Sequence, residues 1–292
     1  MKSPRSFDVL GNIAIVNFPL DFKLKDKKAF VQRLLKEHSN IKTVLEKIGK
    51  VKGRLRKPET KHLAGEKTKE VLYRENDCVF RFNIDRTYFS PRLSNERKEI
   101  ASMIKRNDDV LVMFAGVAPF SIVIAKKSRA KRVVSNEINK EANKYAKLNV
   151  DLNKVKDKVE LVQGDVKRVI GSLGSQLMAP KSRPADFSAK KLLSKKVPQS
   201  YDKQSKFVGF DVIVMPRPQL KDSFLEQAFR LSKKGTRIYY YDFCRVDEIN
   251  LIVEKIKDEA KKFKKKIKIL KTKKAGEIAP YKIRLRVDFR VV

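Results

Sequence analysis

DDVLVMFAGVAPF, residues 108–120, is an apolar run that ends in a glycine turn and passes into a proline. A run without polar alternation, closed by Gly, reads as a strand buried on both faces, as in a parallel sheet. Pro119 suits the first turn of a helix, where no amide hydrogen is missed, so a helix is expected over 119–127. The pattern repeats outward. RVVSNEI (132–138) is a second strand, KEANKYAKLNV (140–150) a second helix, and VELVQGD (159–165) a third strand. FDVIVMPRP (210–218) is the fourth, followed by an amphipathic helix through Leu231. GTRIYYYDF (235–243) is the fifth, and a long basic helix follows from about Val246 to Lys264. KIKILKTKK (266–274) and YKIRLRVDFRVV (281–292) read as an antiparallel pair. Strand–helix alternation implies a parallel sheet with right-handed crossovers. The antiparallel end suits the methyltransferase version of that sheet better than the dinucleotide dehydrogenase version.

Residues 1–100 read differently. NIAIVNF (12–18) and CVFRFNI (78–84) alternate as strands, and helices are expected near 26–38 and 41–48. The expected organisation is a small α+β module over 1–100, including a linker, and a larger α/β domain over 101–292. Within the latter, 171–206 is a basic insertion rich in Pro, Ser and Lys. It carries Lys181, Arg183, Lys190, Lys191, Lys195, Lys196, Lys203 and Lys206 against Asp186 and Asp202. Both an RNA-contacting loop and an inert solvated loop fit that composition.

The 292 residues hold 69 Lys and Arg against 34 Asp and Glu, a formal net charge of +35. That excess points to a polyanionic partner, since each neutralised phosphate releases condensed counterions. A Lys-rich proteome or adaptation to heat is the bland alternative, but heat adaptation raises Lys and Glu together. No apolar stretch is long enough to span a membrane, and no signal peptide opens the chain. Cys78 and Cys244 form neither a disulfide framework nor a metal site. A cytoplasmic protein without metal is expected. His38 and His62 lack partners at useful spacing and read as non-catalytic.

FAGVAPF (114–120) lacks the G-x-G-x-x-G spacing that holds a pyrophosphate. Gly116 permits a tight turn, and Phe114, Pro119 and Phe120 line it, which suits a ligand without phosphate such as S-adenosylmethionine. An ordinary strand–helix connection fits the glycine alone. Glu137 closes the second strand, where a carboxylate can accept from both ribose hydroxyls. Asp165 closes the third, where one can accept from the adenine amino group. Either acid alone could be a surface residue; the ordered set of turn, acid and acid indicates a cofactor site.

YFSPRLSNER (88–97), MFAGVAPF, SNEIN, QGD and MPRP occur in that order, and the chain from SFDVLGNIAIVNF onward resembles the archaeal tRNA (guanine-N1)-methyltransferase family acting at position 37. FSPRL followed by ER is the most specific of these motifs. The resemblance implies a class I Rossmann-like methyltransferase: a mostly parallel sheet with an antiparallel C-terminal pair. It also implies a cofactor set of Tyr88, Phe89, Arg92, Phe114, Ala115, Gly116, Val117, Glu137, Ile138, Asp165 and Met215. The partner would be the anticodon loop of tRNA, tRNA-Phe in particular, with the enzyme a monomer.

Guanine N1 carries a proton, so methylation needs a base near N1 and a positive donor near O6. The resemblance places Glu96 as the base and Arg56, from GRLRKPETKHLAG (53–65), as the O6 donor. It gives Arg92 and Arg97 the orientation of Glu96 or the holding of phosphates. Tyr88 and Phe89 would flank the methionine end or the base; Pro216 and Pro218 would form the pocket floor, with Arg217 a further contact. Family members usually carry an N-terminal module that senses the tRNA outer corner, and this sequence begins where their second module begins. The fourth strand usually ends in N-x-P, but here it ends Met215-Pro216-Arg217-Pro218. That ending, with Ala118 in place of Gly, resembles the wyosine-pathway subgroup, whose members methylate guanine N1 and C7 of 4-demethylwyosine. Two alternatives stay open on the sequence: a 3-amino-3-carboxypropyl transferase of the same pathway, and a non-catalytic basic RNA-binding protein.

Overall fold

A computed structural model of the chain describes residues 7–48, 59–169, 209–216 and 222–292. β1 (Phe7–Leu10) and β2 (Ile13–Val16) form a hairpin around Gly11. Gly11 has φ +57°, and a Cβ there would meet the Leu72 carbonyl oxygen at 2.2 Å, so the turn requires glycine. α1 (Leu24–Glu37) carries the chain to β3 (Thr43–Lys47), which pairs parallel to β2; β4 (Thr60–Gly65) closes this four-stranded sheet antiparallel to β3. Phe30, Val31 and Leu34 of α1 pack on Val16, Phe18, Phe22 and Val44.

The helix expected over 41–48 is instead β3. Ile41, Val44, Leu45 and Ile48 have helical spacing, but the structure uses Val44 and Leu45 on opposite faces of a buried strand. Val44 joins the core under α1, and Leu45 joins the core shared with the larger sheet. Burial on both faces overrides the local period.

β5 (Glu70–Glu75) and β6 (Cys78–Asn83) form a second hairpin, turning at Asn76 and Asp77 with φ of 48° and 56°. Two positive φ values at the turn match the right-handed twist of the strands. A 3₁₀ turn (Pro91–Leu93) then leads into α2 (Ser94–Ser102).

The large sheet takes β7 (Asp109–Val112), β8 (Arg132–Glu137), β9 (Val159–Gln163), β10 (Phe210–Met215), β11 (Ser232–Arg245), β12 (Ile267–Ala279) and β13 (Lys282–Val291). The connecting helices are α3 (Pro119–Lys127), α4 (Lys140–Leu152), α5 (Leu225–Arg230) and α6 (Ile249–Lys262). Strand order is β12-β13-β11-β10-β7-β8-β9. Neighbours from β9 to β11 pair parallel, and β13 runs antiparallel to both β11 and β12. The seven expected strands are therefore present, with one reversed strand near the edge.

Alternation along the central strands separates two cores. Val110, Val112, Val212, Val214, Tyr239 and Tyr241 face Ile100, Phe120 and Ile124; Leu111, Met113, Ile213, Met215, Ile238 and Tyr240 face Leu225, Phe229 and Ile256. The order reverses between β7 and β10, a switch point beyond whose carboxyl ends ligands bind. No helix among the described residues is long and apolar enough to cross a membrane.

Candidate active site

The turn after β7 is held in a tight path. Phe114, Gly116 and Ala118 all lie in the left-handed region, with φ of 56°, 60° and 65°. Left-handed backbone is unfavourable for Phe and Ala, so the surroundings must enforce it. They do so through backbone bonds: Ala115 N–H donates to Asn136 O at 2.9 Å, and Ala118 N–H to Ala115 O at 3.0 Å. Gly116 N–H donates to Glu137 Oε2 at 2.8 Å, and Asn139 N–H donates to Glu137 Oε1 at 2.8 Å. The Glu137 carbonyl accepts from Gly164 N–H and the Asn143 side-chain amide, both at 2.9 Å. One residue thus ties together the ends of β7, β8 and β9. Glu137 is 7% exposed, and each of its oxygens holds one backbone amide. A carboxylate has about four lone-pair sites, so capacity remains for a pair of ribose hydroxyls.

Around this residue the strand ends are half-open. Phe114, Gly116, Ile138, Gly164, Asp165 and Pro216 are partly exposed, whereas Ala115, Val117 and Met215 are buried beneath them. Asp165 Oδ1 accepts from Lys167 N–H at 3.1 Å and so caps the following turn. Phe114 meets Phe224 edge-on, with ring centroids 5.0 Å apart. The Tyr88 carbonyl oxygen lies over Gly116, 3.4 Å from where a Cβ would stand. This fits an adenosine-type ligand: an acid with spare acceptor capacity beside an open glycine turn.

Phe89 anchors its loop. Its ring stacks on Phe82 at 4.6 Å, with Tyr73 at 5.1 Å. Arg92 is exposed and reaches Asp8 at 3.5 Å, toward β1. Arg97, expected to orient Glu96 or hold phosphate, is instead 1% exposed and pairs through two hydrogen bonds with Glu75, while Nη2 also donates to Ser90 O at 3.0 Å. It touches neither Glu96 nor a surface that phosphate could reach. Its guanidinium sits 5.1 Å from the Phe89 ring centroid, so it braces the loop. His62 Nε2 lies 3.1 Å from Glu66 O, and His38 packs on Phe7. Arg56, Arg217, Pro218 and the insertion 171–206 lie outside the described residues.

Glu96 is 4% exposed, at the first turn of α2, where a carboxylate is favoured. Tyr241 Oη donates to its Oε2 at 2.8 Å, Arg286 Nη1 to the same oxygen at 2.7 Å, and Lys273 Nζ to Oε1 at 2.6 Å. The parallel pairing sets Tyr240 opposite Met215, so Tyr241 stands at the carboxyl end of the sheet, level with the start of MPRP. Burial pushes the Tyr241 hydroxyl well above its ordinary range, with Glu96 adding to the effect, so it remains a donor. At Glu99, burial acts to raise the carboxyl, but hydrogen bonds from Arg286 and Lys273 prevail and hold it at about 2.

Asn149 and Asn153 were not anticipated from the sequence. Asn149 lies on α4 and Asn153 caps its C-terminus one turn later, and both bond the backbone of β6. Asn149 Oδ1 accepts from Arg81 N–H at 2.7 Å while its amide donates to Arg81 O at 3.1 Å and Val117 O at 3.2 Å. Asn153 repeats the pattern at Val79, at 2.9 and 2.6 Å. The two side chains act as a strand partner for β6 and connect it to the glycine turn.

Residues 71–185 match the TRM5/TYW2 methyltransferase domain, and residues 1–68 match the TYW2 N-terminal domain. The chain is 34% identical over 304 residues to the tRNA (guanine(37)-N(1))/4-demethylwyosine(37)-methyltransferase Taw22 of Nanoarchaeum equitans, covering 98% of this chain and 100% of that one. Its fold is similar to Trm5b from Pyrococcus abyssi, with a TM-score of 0.76 and 32% identity over 99% of this chain and 75% of that one. It is also similar to aTrm5 in complex with tRNALeu, with a TM-score of 0.75 and 26% identity over 99% and 72%. With its glycine turn, its strand-end acids and this full-length likeness, the chain belongs to the TRM5/TYW2 methyltransferase family.

Proposed function

We propose that this protein methylates the base at position 37 of tRNA with S-adenosylmethionine, at N1 of guanosine and at C7 of 4-demethylwyosine. The observation that carries the reading is the place of Glu96, a buried carboxylate at the carboxyl end of the sheet, held by three donors and level with the MPRP strand end. The full-length likeness to an enzyme named for both reactions supports the dual specificity.

S-Adenosylmethionine supplies an electrophilic methyl group. Glu137 is suited to its ribose hydroxyls, Asp165 to its adenine amino group, and the Gly116 turn with Tyr88, Phe114, Ala115, Val117, Ile138 and Met215 to the body of the ligand. Glu96 takes the proton from guanine N1, and Arg56 donates to O6, where charge collects. Pro216 and Pro218 form the floor under the base, beside Arg217. Residues 1–100 act as the RNA and active-site module, because they supply Tyr88 and Glu96 to a site whose cofactor half lies in residues 101–292. The net charge of +35 suits an anticodon loop with its target base turned outward, and tRNA-Phe is the expected substrate. The enzyme acts as a cytoplasmic monomer.

The test is nucleoside mass spectrometry of tRNA-Phe bearing guanosine or 4-demethylwyosine at position 37, after incubation with enzyme and S-adenosylmethionine. Gain of one methyl group on each base supports the reading. Gain of an aminocarboxypropyl group, or no product despite tRNA binding, overturns it.

A further inference from the structure

The two oxygens of Glu96 are held unequally. Oε2 is fixed by two buried donors, Tyr241 Oη and Arg286 Nη1. Arg286 cannot easily move: it is fully buried, its Nη2 also donates to Glu99 Oε1 at 2.8 Å, and its Nε donates to Asp288 Oδ1 at 2.7 Å. Oε1 faces Lys273, which extends from β12, the strand at the sheet's outer edge, is 29% exposed and is shared with Glu99 Oε2. Among the described residues, the charged and titratable groups around Glu96 are therefore Tyr241 on β11, Lys273 on β12, Arg286 and Asp288 on β13, and Glu99 one turn along α2. Arg97 faces Glu75 instead.

We propose that Oε1 of Glu96 is the atom that receives the substrate proton, and that Lys273 is a displaceable positioning residue that leaves Oε1 for Glu99 when the base arrives. The inference rests on Glu96 acting as the base. Oε2, with two immovable donors, sets the plane of the carboxylate. Lys273 covers Oε1 with an opposite charge while the site waits. Its shift to Glu99 makes Glu96 a better acceptor as the transfer occurs, and Lys273 does not lose its counter-charge. The proton passes from N1 to Oε1, the electron pair left on N1 forms the bond to the methyl carbon, and the sulfonium carbon–sulfur bond breaks. Lys273 stays protonated throughout; hydrogen bonds to Glu96 and Glu99 raise its proton affinity above the ordinary value against the opposing effect of burial.

The experiment measures single-turnover methylation of tRNA against pH, alongside tRNA affinity, for wild type, Glu96→Gln, Lys273→Met, Lys273→Arg and Tyr241→Phe. Lys273→Met should move the acidic limb of the rate profile upward by about one pH unit, the size expected on removing one neighbouring cation. Lys273→Arg should return the limb toward wild type. Tyr241→Phe should lower the plateau rate roughly 3–10-fold, as for one lost hydrogen bond, with tRNA affinity unchanged. If Glu96→Gln is slow while Lys273→Met leaves the limb unmoved, the proposal is overturned. If Glu96→Gln retains the full rate, the base reading of Glu96 itself fails. Should Lys273→Met not fold, Tyr241→Phe decides: a plateau at the wild-type rate overturns the lock on Oε2, and a reduced plateau at unchanged affinity supports it.

Discussion

Glu137 Oε2 accepts the backbone N–H of Gly116 at 2.8 Å, so the acid that closes β8 also holds the glycine turn that follows β7. The acid assigned to the cofactor ribose is thus part of the scaffold of its own pocket. On that assignment, ligand affinity and local stability would share one side chain.

Glu137→Ala removes the acceptors of Gly116 and Asn139 together. The expected loss of stability is about 1–3 kcal/mol, the penalty for a buried donor left unpaired. S-Adenosylmethionine affinity should fall at least roughly tenfold, a loss within the same range. Glu137→Gln, with one acceptor oxygen left, should lie between. Calorimetric titration with a parallel thermal melt checks both, and unchanged affinity would remove Glu137 from the site.

The buried pair of Arg97 with Glu75 should behave as a structural unit. Arg97→Met leaves Glu75 charged and unpaired, which costs about 3–5 kcal/mol. Replacing both at once, Glu75→Leu with Arg97→Met, should recover most of that loss. Denaturant unfolding of the two singles and the double measures it; a double no more stable than the worse single would contradict this account.

The contrast between Glu96 and Arg97 shows where the sequence stopped being legible. The strands of the large sheet and the glycine turn are written locally, as apolar runs with defined ends. Glu96 and Arg97 are adjacent in sequence, and helix geometry turns them to different partners, one toward β11–β13 and the other toward β5. Which side chain met which face depended on the packing of the β5–β6 hairpin, and no local pattern records that. Arg286 and Lys273 were hidden for the same reason: each joins Glu96 only after the C-terminal strands pair. At 41–48 the pattern was present but ambiguous, and burial on two faces selected a strand.

Asn149 should be the most sensitive asparagine of α4, because it bonds both β6 and the Val117 carbonyl. Asn149→Leu keeps much of the volume but leaves those backbone groups unpaired. A loss of about 1–3 kcal/mol is expected. Hydrogen exchange at the Arg81 amide should accelerate with it. A mutant with wild-type melting and unchanged exchange at Arg81 would show that β6 is held by its hairpin partner alone.

Glu99 gives a pH dependence with a definite sign. Its carboxyl falls from the ordinary 4.5 to about 2, because bonds from Arg286 and Lys273 outweigh burial. A depressed folded pKa contributes stability that is present above the unfolded value and lost as pH falls through the folded one. The window here runs from about 4.5 down to about 2. Asp288, which burial pushes upward, works in the opposite sense, so the readout is a difference between proteins. The stability gap between wild type and Glu99→Gln should narrow as pH drops through that window. A gap independent of pH would mean that Arg286 and Lys273 do not shift the Glu99 carboxyl between the unfolded and folded states.

Pro216 bears on specificity. It stands partly exposed just past β10, directly after buried Met215. Guanine-specific relatives are expected to carry Asn at this place, whose amide can hydrogen-bond a base edge. Proline has neither an amide hydrogen nor a polar side chain, so it offers a rigid apolar wall. Attack by C7 also turns a different edge of a larger ring toward the methyl group than attack by N1. A pocket that serves both must place each substrate mainly by stacking and phosphate contacts. Pro216→Asn should therefore raise the ratio of N1-methylguanosine to isowyosine, by roughly tenfold if one base-edge hydrogen bond is gained at full strength. Both tRNA substrates are given to both proteins, and the products are quantified by mass spectrometry. An unchanged ratio, or a wild type that ignores 4-demethylwyosine, would show that MPRP does not widen the substrate range.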